Sequence, residues 1–249
     1  SSHSQISYAV FCLKKKNIET AIDLDGPIKG DALALRVTIN QVLGHSAQAQ
    51  ADIGKAIAAA PGSVTPYVQR ALEHERAGDV TAALADLDHA LIIDPAAGTA
   101  LSARANLLRR LGLLARARAD FAAAARLGPP FRRLALIHKS NVELRAGDLK
   151  TAYDDLLAAA HESGDMTEAE AAATNADLLA RAGDLVLDKL KDPAAAEKHF
   201  RDAERLADRS WSAVLGLARV AEARGDRTAA IAIYKRILAA TETTPKLYE

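Results

Sequence analysis

Along this chain the apolar positions recur at helical spacing, and alanine sets the rhythm. An Ala is followed four positions later by a large apolar residue, and three after that by a small or apolar one. The sets are Ala49-Ile53-Ala56, Ala83-Leu87-Ala90, Ala117-Phe121-Ala124, Ala152-Leu156-Ala159, Ala196-Phe200-Ala203 and Ala230-Tyr234-Ile237. Positions i, i+4 and i+7 lie on one helical face, so each set predicts a helix. The small residues let a neighbouring helix come close, and the large one fills the gap between the two. Successive sets are offset by 34, 34, 35, 44 and 34 residues. A shared period of this size predicts stacked supersecondary units rather than one compact core.

Glycine and proline punctuate the same period. Gly44, Gly78, Gly112, Gly147 and Gly225 each stand five residues before the first Ala of a set. Asp follows three of them, at Asp79, Asp148 and Asp226. A helix stop at Gly with the next helix capped by Asp fits this pattern. Pro61, Pro95 and Pro129 follow the first three sets and predict where the second helix of each unit ends. The fifth set offers two turns, Gly183-Asp184 and Lys191-Asp192-Pro193. The first would put Asp188 and Asp192 in packing slots, so the second is expected, with Pro193 near a helix start. The 44-residue offset implies about ten extra residues, placed in 163–173, which lengthen a loop or extend the helix between Thr167 and Leu190.

On Gly78, Asp79, Ala83, Ala90 and Pro95, and on their recurrence, the chain resembles the tetratricopeptide repeat family. The resemblance covers residues 30–244. It implies an all-α, right-handed superhelical array of antiparallel helix pairs, with repeats at 30–63, 64–97, 98–132, 133–168, 169–210 and 211–244. The aromatic that the family often carries early in the first helix is mostly absent, with Tyr67 and an offset Trp211 as partial substitutes. Residues 1–29 are expected to form a helical segment, a degenerate repeat or a cap, on Ile18, Ala21, Ile22 and Leu24. After the last repeat only the tail 245–249 follows, with no polar closing helix. Stacked repeats need capped ends. The apolar face of Ile231, Tyr234 and Leu238 is therefore expected to be covered by a continuation of a longer protein or by another chain.

Composition sharpens the helical expectation. About a fifth of the chain is Ala, against 4% aromatic residues, a balance that favours helix over sheet. Lys+Arg and Asp+Glu are both 32, which argues against a nucleic-acid coat. No apolar run is long enough to span a bilayer. The apolar stretch 6–13 precedes Lys14, Lys15 and Lys16, the reverse of a signal peptide. The single Cys12, between Phe11 and Leu13, excludes an internal disulfide and reads as a packing residue.

The letters that could carry chemistry are scattered. His3, His45, His74, His89, His138, His161 and His199 form no His-Glu-x-x-His pattern. No phosphate loop, dinucleotide fingerprint or nucleophile elbow is present. The chain is expected to be no enzyme and to need no cofactor or metal.

By the resemblance, partner contacts lie on the first helices. The expected site is Arg76, Asn106, Arg109, Arg110, Leu134, Ile137, Asn141, Leu144, Arg145, Arg181 and Arg219. On the fifth repeat the exposed stripe is expected at Leu178, Arg181, Leu185, Asp188 and Lys189. Asn106 and Asn141 occupy equivalent places in adjacent repeats, suited to holding a peptide backbone. The arginines would make the middle of the groove basic and suited to a protein or peptide with acidic groups. Two alternatives stand beside this scaffold reading. One is the repeat portion of a larger enzyme or of a bacterial envelope or polysaccharide-export assembly. The other is a scaffold that self-associates through its open C-terminal face or Cys12.

Overall fold

The computed structural model describes residues 18–20, 22, 23, 27–162, 166–207 and 210–242. Cys12, the apolar stretch 6–13, most of the 1–29 segment and the tail 245–249 lie outside the described residues. The fold is all-α, and its described helices run as consecutive pairs. These are α1 (Pro27–Val42) with α2 (Ser46–Ala59), α3 (Val64–Arg76) with α4 (Val80–Ile93), and α5 (Gly98–Arg110) followed by α6 (Leu114–Arg126). Then come α7 (Phe131–Ala146) with α8 (Leu149–Ala160), α9 (Glu168–Leu185) with α10 (Pro193–Leu206), and α11 (Trp211–Ala223) with α12 (Arg227–Glu242). The chain divides into two compact bodies, one ending at Leu111 and the other starting at Gly112. In the first body α1 packs on α2, and α3 on α4; in the second α7 packs on α8, α9 on α10, and α11 on α12.

The turns within pairs are built as the glycine punctuation predicts. Gly44, Gly78, Gly112, Gly147 and Gly225 all have φ between 75° and 82°. That left-handed conformation costs glycine little and other residues more. Behind three of them, Asp79, Asp148 and Asp226 accept hydrogen bonds from the N–H groups of Ala82, Thr151 and Ala229, at 2.9, 3.1 and 2.9 Å. The fifth pair does the same work with different letters. Lys191 takes the left-handed turn at φ 59°, Asp192 caps the N–H groups of Ala194 and Ala195, and Pro193 opens α10. The preceding α9 begins with a reciprocal cap between Thr167 and Glu170 and runs on into a π-helical segment, Val186–Leu190. The extra residues therefore lengthen this helix. Its N-terminal part is tied to α7 by Arg133, which donates to the Glu162 carbonyl oxygen and to Asn175 Oδ1.

The Ala–large–small sets are the packing seams. Ala49, Ala56, Ala83, Ala90, Ala117, Ala124, Ala152, Ala159, Ala196 and Ala203 are fully buried, as are Phe121 and Phe200. On the last helix Ala230 of the sixth set is still buried at 3%, whereas its neighbours Ile231 and Leu238 are 54% and 61% exposed.

A second periodic feature runs beside the first. Asp52, Asp86, Asp120 and Asp155 each precede the large residue of a set, and all are buried. Arg36 grips Asp52 through two bonds of 2.7 Å, and Arg70 grips Asp86 at 2.8 and 2.6 Å. Lys139 holds both oxygens of Asp155 at 3.0 and 2.7 Å. In each case the cation lies 16 positions earlier, on the first helix of the pair. These clamps raise the Arg36 and Arg70 pKa values, chiefly through the carboxylate hydrogen bonds. Where the clamp is absent the pair closes differently. Gly183 and His199 stand at the corresponding positions of the fifth pair, and the ring of Phe200 fits against Gly183. His199 exchanges a 2.8 Å hydrogen bond with the Tyr153 hydroxyl.

Burial pushes the Asp155 carboxyl up, and the contact with Lys139 does not offset it. The folded chain then holds this proton more tightly than the unfolded one. Its contribution is present below the ordinary Asp value, ~3.9, and is lost as pH rises through the folded pKa. Asp155→Asn is expected to gain stability relative to the unmodified chain as pH rises from about 3 to about 7. Urea unfolding across that range measures it, and a flat or opposite trend contradicts the assignment.

Candidate partner-binding surface

The expected site residues fall in both bodies. In the first body Arg76 is ion-paired with Glu73 on its own helix, and Glu73 also accepts from Gln41 Nε2 at 2.6 Å. Arg110 is ion-paired with Glu75 of α3. Asn106 donates to the Ser102 carbonyl oxygen at 3.0 Å and accepts from Arg109 at 3.4 Å. The functional groups expected to meet a ligand here already meet each other.

In the second body α7 presents Leu134, 56% exposed, with Ile137 and Leu144 half-buried against the core below. Asn141 Oδ1 accepts from Arg181 of α9 at 2.8 Å, which leaves the amide nitrogen as donor. Arg145 is exposed and has no ion pair among the described residues. Arg219 of α11 is held by Asp184 at 2.5 Å and Asp188 at 2.6 Å. The two carboxylates raise the Arg219 pKa, while burial raises that of Asp184. Next to them Leu187, Asp188, Lys191, Pro193, Arg219 and Glu222 line an open cavity of about 600 Å³.

Part of the expected basic cluster is already paired within the chain. Arg76, Arg110 and Arg219 are neutralised by Glu73, Glu75, Asp184 and Asp188. Leu178 and Leu185, expected on the exposed stripe, are 2% and 6% exposed and belong to the core under α7 and α8. The outward stripe of α9 and its π-helical continuation is instead Asp177, Arg181, Asp184 and Asp188, at successive steps of four, three and four. Asp177 and Asp184 were missed, although each lies one repeat length from a residue of α11. Trp211, 42% exposed, and Leu215, 46% exposed, continue the surface on α11.

Three histidines have structural surroundings. His89 packs on Tyr67, His138 stacks on Phe121, and burial lowers the pKa of His199 beside Tyr153. Among the described residues no group of three His, Cys, Asp or Glu could hold a metal ion. No described helix is long and apolar enough to cross a membrane.

Comparison with known proteins agrees with this architecture. A family profile for the tetratricopeptide repeat matches residues 68–130 and 174–245. Tetratricopeptide repeat protein 36 of Bos taurus is 38% identical over 113 residues, 43% of this chain and 58% of that protein. The chain thus matches a little over half the length of that relative. The solved structure of pilF from Pseudomonas aeruginosa superposes with a TM-score of 0.60 at 17% identity, covering 86% of this chain and 93% of that one. YrrB, described as a repeat protein of this type with an unusual peptide-binding site, gives 0.57 at 18% identity, covering 77% and 93%.

Proposed function

Since the chain belongs to the tetratricopeptide repeat family, we propose that it is a non-catalytic interaction scaffold whose second body holds a segment of another protein on its first helices. The observation that carries this reading is Arg145, an exposed guanidinium without an ion pair among the described residues, on the helix that presents Leu134, Ile137 and Leu144. An extended segment would set apolar side chains on those residues, accept a backbone hydrogen bond from Asn141 and place a carboxylate at Arg145. The peptide-binding description of one structural neighbour supports a peptide as the class of ligand.

Two single substitutions test it. Arg145→Glu is expected to weaken binding of a captured partner at least tenfold at low salt, about 1.4 kcal/mol. Arg110→Glu is the contrast, because that guanidinium already has Glu75, and it should change affinity by less than about threefold. Isothermal titration on the purified partner reads both. Unchanged affinity in the Arg145 variant at low salt contradicts the proposal.

A further inference from the structure

Two outward stripes lie side by side where α9 and α11 adjoin. On α11 the stripe is Trp211, Leu215, Arg219 and Glu222; on α9 and the π-helical segment that continues it, the stripe is Asp177, Arg181, Asp184 and Asp188. Arg219 fixes their register, since it bonds Asp184 and Asp188 together. One turn earlier on both helices, Leu215 comes level with Arg181 and Asp184. Two turns earlier, Trp211 comes level with Asp177 and Ala180. The core agrees, because Ala176 and Ala180 of α9 share one cluster with Ala213 and Leu217 of α11.

The charges along the seam are unequally committed. Arg181 bonds Asn141, and Arg219 bonds Asp184 and Asp188. Asp177 is exposed and has no ion pair among the described residues. By the register above it lies level with the Trp211 indole, which is 42% exposed, one turn before Leu215, which is 46% exposed. An exposed indole next to an unpaired carboxylate is suited to a cation. The ring face attracts positive charge, the carboxylate neutralises it, and the leucine covers the aliphatic stem. Guanidinium fits better than ammonium because its plane can stack on the ring while its edge meets the carboxylate.

We infer that the α9–α11 seam takes an arginine side chain of the bound segment, with its stem on Leu215 and its guanidinium between the Trp211 indole and Asp177. The inference rests on the proposed peptide-binding face and adds polarity to it. The α7 side, with Arg145, meets a carboxylate, and the α11 side meets a cation. A segment bound across α7, α9 and α11 is thereby given one direction.

Trp211 is the only tryptophan of the chain, so its emission reports this seam alone. The experiment titrates the full chain with short capped peptides that differ at one residue: arginine, its neutral isostere citrulline, lysine or glutamate. The arginine peptide is expected to shift or quench the emission saturably. Citrulline and glutamate should bind at least fivefold more weakly, and Asp177→Asn should remove most of that preference. Leu215→Ser, which leaves the fluorophore in place, should weaken the arginine peptide by threefold or more. Emission that ignores the arginine peptide overturns the inference, and so does equal response to arginine and citrulline. If Arg145→Glu weakens partner binding while Trp211 stays silent, the seam is wrong and the peptide face stands. If the arginine peptide reports at Trp211 but partner binding ignores Arg145→Glu, the α7 reading fails instead.

Discussion

Gly216→Ala is expected to destabilise the second body by about 1–3 kcal/mol, although alanine is normally the better helix residue. A Cβ on Gly216 would lie 2.2 Å from a ring carbon of Phe200, and one on Gly183 would lie 2.8 Å from it. Phe200 is fully buried between these two helices, so the ring cannot move aside without disturbing α10. Gly54 gives the opposite sign. It is also in mid-helix, but a Cβ there meets nothing within 4 Å, so Gly54→Ala should gain about 0.5–1 kcal/mol. Phe200→Ala should lose about 3–5 kcal/mol through the cavity it leaves. Combining Phe200→Leu with Gly216→Ala should lose less than the sum of the two single changes, because the smaller side chain frees the space the methyl needs. Hydrogen exchange on α9, α10 and α11 together with denaturant unfolding measures the series. Strict additivity, or a stabilising Gly216→Ala, contradicts the close approach.

Lys139→Ala is the second substitution with a large expected effect. The ammonium lies 2.7 Å from Asp155 and 3.9 Å from Glu143, whose side chain is fully buried. Glu143 Oε1 has no hydrogen-bond partner among the described residues, and Oε2 is 3.4 Å from Arg118. Removing the cation leaves two buried carboxylates with the half-exposed Arg118 as their remaining described cation. Breaking such a pair from one side costs about 3–5 kcal/mol at neutral pH. The loss should shrink on acidification, since protonated carboxyls no longer need the ammonium. Lys139→Met keeps the stem and lacks the charge, so it should behave like the alanine variant if charge is what matters. Recovery of most stability in the methionine variant would assign the effect to packing.

The fold class was legible because its signal is periodic. A helix seam between close-packed neighbours demands small and large residues at set spacing, and Ala83-Leu87-Ala90 or Ala196-Phe200-Ala203 write that demand in letters. The turns were legible for a related reason, since a left-handed residue at Gly78 or Gly147 admits few alternatives. The Lys191-Asp192-Pro193 turn was reached by exclusion, through the packing slots the rival turn would have filled with aspartate.

The site was less legible, and the reasons differ by residue. Asp52, Asp86 and Asp155 repeat as regularly as the alanines, yet a carboxylate beside a core residue looks like a solvated face until its cation 16 positions away is located. Arg110 and Arg219 looked like ligand contacts because a sequence displays a charge without the neighbour that cancels it. Leu178 and Leu185 turn inward because the π-helical Val186–Leu190 lies between them and the Lys191 turn. A π-helical segment carries more residues per turn than an α-helix, so it rotates the face of everything before it. Trp211 reads in the sequence as an offset aromatic because Asp177, on the neighbouring helix, lies 34 positions away.

The measurement closest to the central claim is a peptide-display selection on the immobilised chain, followed by titration of the selected sequences against the unmodified chain, Arg145→Glu and Leu134→Asp. The selected peptides are expected to carry a carboxylate and to lose at least tenfold in affinity to both variants, with far-ultraviolet circular dichroism unchanged. Selected peptides that bind both variants as tightly as the unmodified chain would contradict it.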